Sequence, residues 1–165
     1  MTATIRSFEP LYIQRIAQLT NKSNQFNLTT LRCSEDDIRA MAADADALCL
    51  CGKLVDKFGD NGIVTVVAGK RQGDLLDLTL WLMSCRVLKR GMEDAMMDTL
   101  MAQAAAVGVK TVVGHYYPTA KNAMVRDFYA QFGFAKTAED AEGNTEWRLE
   151  VSGYEPKHPH MKIER

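Results

Sequence analysis

The sequence predicts an α+β domain with a mixed sheet flanked by helices, on three observations. Leu11, Ile13, Ile16, Ala17 and Leu19 recur at helical spacing early in the chain. From Ala47 the period drops to two, and turn signals then separate three successive apolar runs. A helical period returns at Ala95, Met96, Leu100, Met101 and Ala104, between two runs that read as strands. This order implies an antiparallel meander, a parallel strand reached through a helical crossover, and a further strand.

Residues 1–6 read as a short edge strand and 9–21 as an amphipathic helix. The stretch 21–30 is rich in amides and hydroxyls around Phe26 and Leu28, and reads either as a structured loop or as a binding surface. Ser34 followed by Asp37 has the spacing of a capping box for a helix over 35–43. Leu48, Leu50, Gly52 and Leu54 alternate with Cys49, Cys51, Lys53 and Val55 in a strand reaching about Phe58. Gly59, Asp60, Asn61 and Gly62 form a strong turn signal before the β-branched run 63–68. A second tight connection at 70–74 leads to a third strand over 75–84.

The central helix is expected over 92–107, closed by Gly108. Residues 110–115 then form a short buried strand parallel to the third. Pro118 and a turn lead to a helix over 122–132, ended by Gly133, and a last strand over 145–151 places Trp147, Leu149 and Val151 on one face. Trp81 and Trp147 read as core aromatics in facing strands. The tail, 152–165, is interrupted by prolines and reads as irregular.

At 165 residues with 47% hydrophobic content, the chain fits one domain with a sizeable core. A net charge of −1 gives no reason to expect nucleic acid or an acidic membrane as partner. No apolar run approaches the ~20 residues of a membrane span, and the N-terminus lacks a secretory pattern, so a cytoplasmic protein is expected. Cys33, Cys49, Cys51 and Cys85 lack zinc-ligand spacing and read as buried reduced thiols, with no metal site expected.

The functional signal concentrates between Trp81 and Met97. An apolar strand runs through the basic turn Arg86, Val87, Leu88, Lys89, Arg90, Gly91 into a helix N-terminus. Unpaired amides and the positive helix end make such a turn an anion site. Ser84 and Cys85 at the strand end, the cations Arg86, Lys89 and Arg90, and the amides of Arg90, Gly91 and Met92 are the candidate binding groups. The alternative is a solvated basic turn. His115, at the end of the short parallel strand, is either a base or phosphate contact, or a satisfied structural histidine. Asp60, Asp74, Asp77 and Glu93 are other possible bases, Asp60 more simply serving its turn.

The element order, with its loop between third strand and central helix, resembles the GNAT acyltransferases. A second pattern of that family is matched by Asn122, Phe128, Tyr129, Gly133 and Phe134, with Val125 at a position usually small. The resemblance implies a pyrophosphate-binding loop for acetyl-CoA or another acyl-CoA, Tyr129 as general acid for the leaving thiolate, and Asn122 as a cofactor contact. On their own chemistry Tyr129 reads equally as a core tyrosine and Asn122 as a helix N-cap. Two registers of the loop signature compete: led by Arg86, the first glycine is Lys89; aligned by Ala95, Met96 and Met97, Gly91 is the first glycine and Glu93 the final small residue. A carboxylate there suits an empty helix N-terminus and repels a bound pyrophosphate.

A closer likeness runs over roughly residues 9–151. The phrases RIAQLTNKSNQFNLTT, FGDNGIV, LWLMSCRVLKRGMED and PTAKNAMVRDFYAQFGF look like the C-terminal GNAT-like domain of FkbH-like proteins. Those proteins carry an upstream HAD-type domain and are associated with glyceryl loading onto acyl carrier proteins for polyketide assembly. The HAD signature is not in the chain, so the resemblance leaves a free-standing relative or an excised domain. It implies the phosphopantetheine arm of an acyl carrier protein, and a HAD-type domain, as partners. Two functions follow: acyl transfer to an amine or hydroxyl, or non-catalytic recognition of the carrier arm.

Overall fold

The structure, a computed structural model, describes residues 1–88 and 90–165. Strand β1 (Thr2–Arg6) and a 3-10 turn (Pro10–Tyr12) precede α1 (Ile13–Lys22) and α2 (Glu35–Ala43). The meander is β2 (Ala47–Asp56), β3 (Gly59–Gln72) and β4 (Leu75–Met83), followed by a 3-10 turn (Cys85–Val87) and α3 (Met92–Ala106). Then come β5 (Thr111–Tyr116), two 3-10 turns (Ala123–Val125 and Phe128–Phe132), β6 (Ala135–Glu139), β7 (Thr145–Glu150), another 3-10 turn (Val151–Gly153) and β8 (Lys162–Glu164). The described residues form one mixed eight-stranded sheet in the order β6-β7-β5-β4-β3-β2-β1-β8.

Each sheet face is covered by one helical layer. On one side α1 and α2 bury Ile13, Ile16, Leu19 and Ile38 against Cys51, Val66, Leu80 and Leu82. The capping box of α2 is formed, Ser34 Oγ accepting from Asp37 N at 3.1 Å and Asp37 Oδ2 from Ser34 N at 2.8 Å. On the other side α3 and the turns at 123–132 pack on Leu50, Leu54, Leu76, Leu78, Trp81 and Met83. Leu76 and Leu78 share this face with Trp81 and Met83 because β4 bulges at Thr79: Ala68 pairs with Leu80 but Gly69 with Leu78. One extra residue resets the alternation and bends the strand.

The bend opens the sheet. β4 and β5 are parallel but pair only from Leu75 to Asp77 against Thr111 to Val113. Beyond that point β4 continues to Met83 and β5 to Tyr116 with a gap between them. The stretch that the sequence left open as loop or binding surface fills this gap. Leu28 N donates to Trp81 O at 3.0 Å, Met83 N donates to Phe26 O at 2.9 Å, and Tyr117 N donates to Leu28 O at 2.8 Å. Asn27 thus bridges Leu82 in antiparallel sense.

Some expectations are corrected. The helix expected over 122–132 is two 3-10 turns, because its bonds run from Val125 N to Asn122 O and Ala130 N to Asp127 O. Val125, Phe128, Tyr129 and Phe132 are nevertheless buried; the apolar spacing reports the buried face, not the hydrogen-bond span. β6 has no apolar alternation and every residue is exposed, so the pattern hides it. The tail carries β8, parallel to β1 through Thr2 and Lys162. Trp81 and Trp147 are both buried, but β5 separates their strands. Cys85 is exposed and Cys49 half-buried.

Candidate functional site

The gap between β4 and β5, the loop after β4, and the start of α3 bring most of the predicted site residues together. Ser84 caps the 3-10 turn with its hydroxyl, which accepts from Arg86 N at 3.4 Å. Cys85 is exposed, and its thiol donates to Gln25 Oε1 at 3.3 Å. Arg86 is exposed and makes no ion pair among the described residues. Lys89 lies outside the described residues. Arg90 is committed elsewhere: its guanidinium pairs with the Asp56 carboxylate at the end of β2. The Phe58 N–H, then Arg90 and Asn61, hold the Asp56 carboxyl below its ordinary pKa.

Gly91 is the N-cap of α3 at φ 86°, a left-handed conformation that glycine adopts without the penalty other residues meet. Pro159 and Met161 of the tail approach it, since a Cβ there would lie 3.3 Å from each. Met92 is buried in the core. Glu93 turns inward, and its Oε2 is buried without a partner among the described residues. Burial pushes its pKa up, partly offset by its own backbone N–H. A groove of about 240 Å³ runs past it, lined by Phe26, Met83, Leu88, Glu93, Val125 and Phe128 among others. Phe26, the first residue of the segment that fills the sheet gap, is one of its lining residues.

Asn122 neither caps the following turn nor reaches the groove. It is fully buried, and its side chain is a four-way clamp. Oδ1 accepts from Thr119 N at 2.8 Å and Tyr116 Oη at 3.3 Å, while Nδ2 donates to Asn27 O and Tyr117 O, both at 2.9 Å. An amide side chain has two donor hydrogens and one acceptor oxygen, so this set leaves no N–H for a cofactor.

Tyr129 lies on the α3 side of the gap, 1% exposed, between Trp81, Phe128 and Phe134. Its ring covers Gly114: a Cβ there would come 2.4 Å from Tyr129 Cζ. Burial first, and the Asp77 charge second, push the phenol pKa up, so it stays protonated. On the opposite face His115 Nε2 sits 2.5 Å from Asp77 Oδ1, both side chains partly exposed. The Tyr117 ring lies 5.9 Å from the imidazole. Thus β4 and β5, still paired at Asp77 and Val113, hold a histidine–carboxylate pair at the point where they part.

No protein-family model and no curated protein sequence matches the chain. Solved structures do. Ard1 from Thermoplasma volcanium superposes with a TM-score of 0.72 at 18% identity, covering 92% of this chain and 99% of that one. The ribosomal-protein-S18-alanine N-acetyltransferase of Escherichia coli gives 0.68 at 14%, covering 90% and 94%. The PaiA N-acetyltransferase of Thermoplasma acidophilum, solved with coenzyme A, gives 0.67 at 13%, covering 91% and 99%.

The fold is that of the GNAT acetyltransferases.

Within this GNAT fold, sequence reasoning singled out the loop, Tyr129 and His115 as candidates, but not what surrounds them. Asp77 is one of four candidate acids in the sequence; only the parallel register of β4 and β5 makes it the partner of His115. Gly114 gave no signal, because a glycine within a strand is equally a bulge or a close approach. The polar run at 21–30 carried a signal that could not be assigned to a partner strand.

Proposed function

We propose that this chain is a GNAT-type acyltransferase that takes its acyl group from acyl-CoA or acyl-phosphopantetheine and passes it to an amine or hydroxyl. The observation that carries this reading is the placement of an acid and a base on opposite faces of one sheet gap. Tyr129, kept protonated by burial, lies on the α3 side of the sheet behind Phe128, which lines the groove; the His115–Asp77 pair lies on the other side. In the reaction the acceptor N or O attacks the thioester carbonyl as His115 takes its proton, with Asp77 holding the ring. The C–S bond then breaks, Tyr129 gives its own proton to the thiolate, and the cycle closes as His115 loses the acceptor's proton to solvent and the phenol takes one back. The thioester arm lies along the groove past Glu93 and Leu88, with its phosphate toward Arg86 and the amides at Gly91 and Met92.

A second reading is a non-catalytic module that recognises the phosphopantetheine arm of an acyl carrier protein beside a HAD/FkbH-type partner. It is favoured by the commitment of Arg90 to Asp56 and of Asn122 to its clamp. Thermal unfolding with acetyl-CoA, CoA or phosphopantetheine, followed by thiol release over a panel of amines and alcohols, separates the two. A ligand at ~100 times its Kd adds ~2.7 kcal/mol of stability, a shift of several degrees for a domain of this size. The enzyme reading expects a shift with acetyl-CoA, and thiol release that Tyr129→Phe lowers while the shift stays. A shift with no transfer to any acceptor selects the module. No shift with any of the three ligands removes both.

A further inference from the structure

The first turn of α3, where an anion would be welcome, carries the chain's own negative charge. Glu93 and Asp94 follow Met92 directly at the helix start. Burial raises the Asp94 pKa, and Lys157 of the tail partly offsets it. Glu93 has no such cation among the described residues. Burial raises its pKa, its own backbone N–H partly offsets this, and the Asp94 charge adds to the rise. Its Oε2 is buried without a hydrogen-bond partner among the described residues. Helix amides and the positive helix end favour an anion, but the Glu93 N–H already donates to its own carboxylate. A carboxylate covered from water is screened little, so its field reaches into the groove it lines.

The surroundings leave little to offset that charge. Arg90 is committed to Asp56, while Arg86 stays exposed and without an ion pair among the described residues. The tail also narrows the approach. Asp98 accepts from Lys157 N at 2.9 Å and from His158 N at 3.0 Å. Just beyond, Pro159 and Met161 lie against Gly91, each 3.3 Å from where a Cβ would stand.

We propose that Glu93 sets the donor specificity: it admits a pantetheine arm ending in a single phosphate and disfavours the pyrophosphate and ribose phosphate of coenzyme A. This rests on the acyl-thioester reading above and narrows its donor. An arm with one phosphate, free or esterified to a serine, pairs its charge with Arg86 and keeps it clear of Glu93. Coenzyme A brings further phosphates to the first turn of α3, and like charges meeting out of water repel.

Isothermal titration of the unaltered protein, above neutral pH, measures the choice with three probes: phosphopantetheine, a phosphopantetheinyl-serine peptide and CoA. At least one single-phosphate probe is expected to bind ~10-fold or more tightly than CoA. Which of the two does so identifies the arm as free or carrier-borne. Glu93→Gln keeps the shape of the side chain and removes its charge, so CoA affinity should rise ~10-fold and the preference should close. CoA binding as tightly as both other probes, or a preference that Glu93→Gln leaves intact, overturns the proposal while the acyl-thioester reading stands. Equal loss of affinity for all probes in Glu93→Gln shows a structural role and also overturns it. Absence of binding by every probe overturns both. If Glu93→Gln does not fold, the ranking of the three probes by the unaltered protein decides.

Discussion

The N–H of Met83 is already bonded to the carbonyl of Phe26, at 2.9 Å, across the opening between β4 and β5. The sheet edge left where β4 and β5 part is therefore closed by the chain itself. Asn122 fastens that closure to the far side, because it donates to Asn27 O and Tyr117 O at once. Removing the clamp leaves the buried Asn27 carbonyl without its partner, at a cost of about 1–3 kcal/mol, and frees the partly buried Tyr117 carbonyl as well. Asn122→Ala is expected to lower stability by about 2–4 kcal/mol. Chemical denaturation measures it, and a change within experimental error refutes the clamp.

Gly114 and Tyr129 form a contact that tolerates no methyl group. A Cβ at position 114 would stand 2.4 Å from Tyr129 Cζ, far inside van der Waals range. Gly114→Ala should destabilise the fold by about 1–3 kcal/mol, the usual range for overpacking a core. Adding Tyr129→Leu removes the clashing ring atoms, so the double variant should lose less than the sum of the two single changes. Strict additivity in a denaturation cycle would show that the ring and position 114 do not touch.

Glu93 makes stability depend on pH. Burial raises its pKa in the folded protein, so between its unfolded and folded values the native state binds more protons. Stability from this group is highest below that window and falls as pH rises through it. Glu93→Gln abolishes the effect, and at neutral pH it should raise Tm by about 2–4 °C, the shift that ~1 kcal/mol gives a domain of this size. The advantage of the variant should vanish below the ordinary glutamate pKa. Calorimetry at several pH values tests it, and a variant less stable at neutral pH would show that the carboxylate is paired.

What the sequence made legible, and what it hid, follows from the range of the interactions. α1, α2 and the meander are set by local periodicity and by the Ser34–Asp37 cap, both present in a short window. The 3-10 character of 123–132 is hidden because Val125, Phe128, Tyr129 and Phe132 would bury equally well on an α-helix. The Arg90–Asp56 pair joins the turn before α3 to the end of β2, far away in sequence, so the basic turn showed more charge than it has to offer a ligand. Phe26 and Leu28 were visible as apolar residues in a polar run, but their partners Trp81 and Met83 depend on how far β4 and β5 part. That distance follows from the Thr79 bulge, which alternation alone does not reveal.

Asp77 and His115 supply the sharpest test of catalysis. The carboxylate holds Nε2 at 2.5 Å, so in the proposed reaction Nδ1 is the nitrogen available to take the acceptor's proton. Removing the carboxylate's charge while keeping its shape permits the wrong tautomer, and a histidine turned in this way loses most of its value as a base. Asp77→Asn is therefore expected to lower acyl transfer by about 10²–10⁴-fold while leaving the acetyl-CoA thermal shift unchanged, because Asp77 does not line the donor groove. His115→Ala should lose activity to a similar extent, and the double variant little more, since the two act as one unit. A merely structural pair would instead lower Tm in both variants and leave the pH dependence of kcat/KM as it was. Losses that multiply in the double variant would show that the residues act separately, and retention of full activity in His115→Ala would remove the pair from the mechanism.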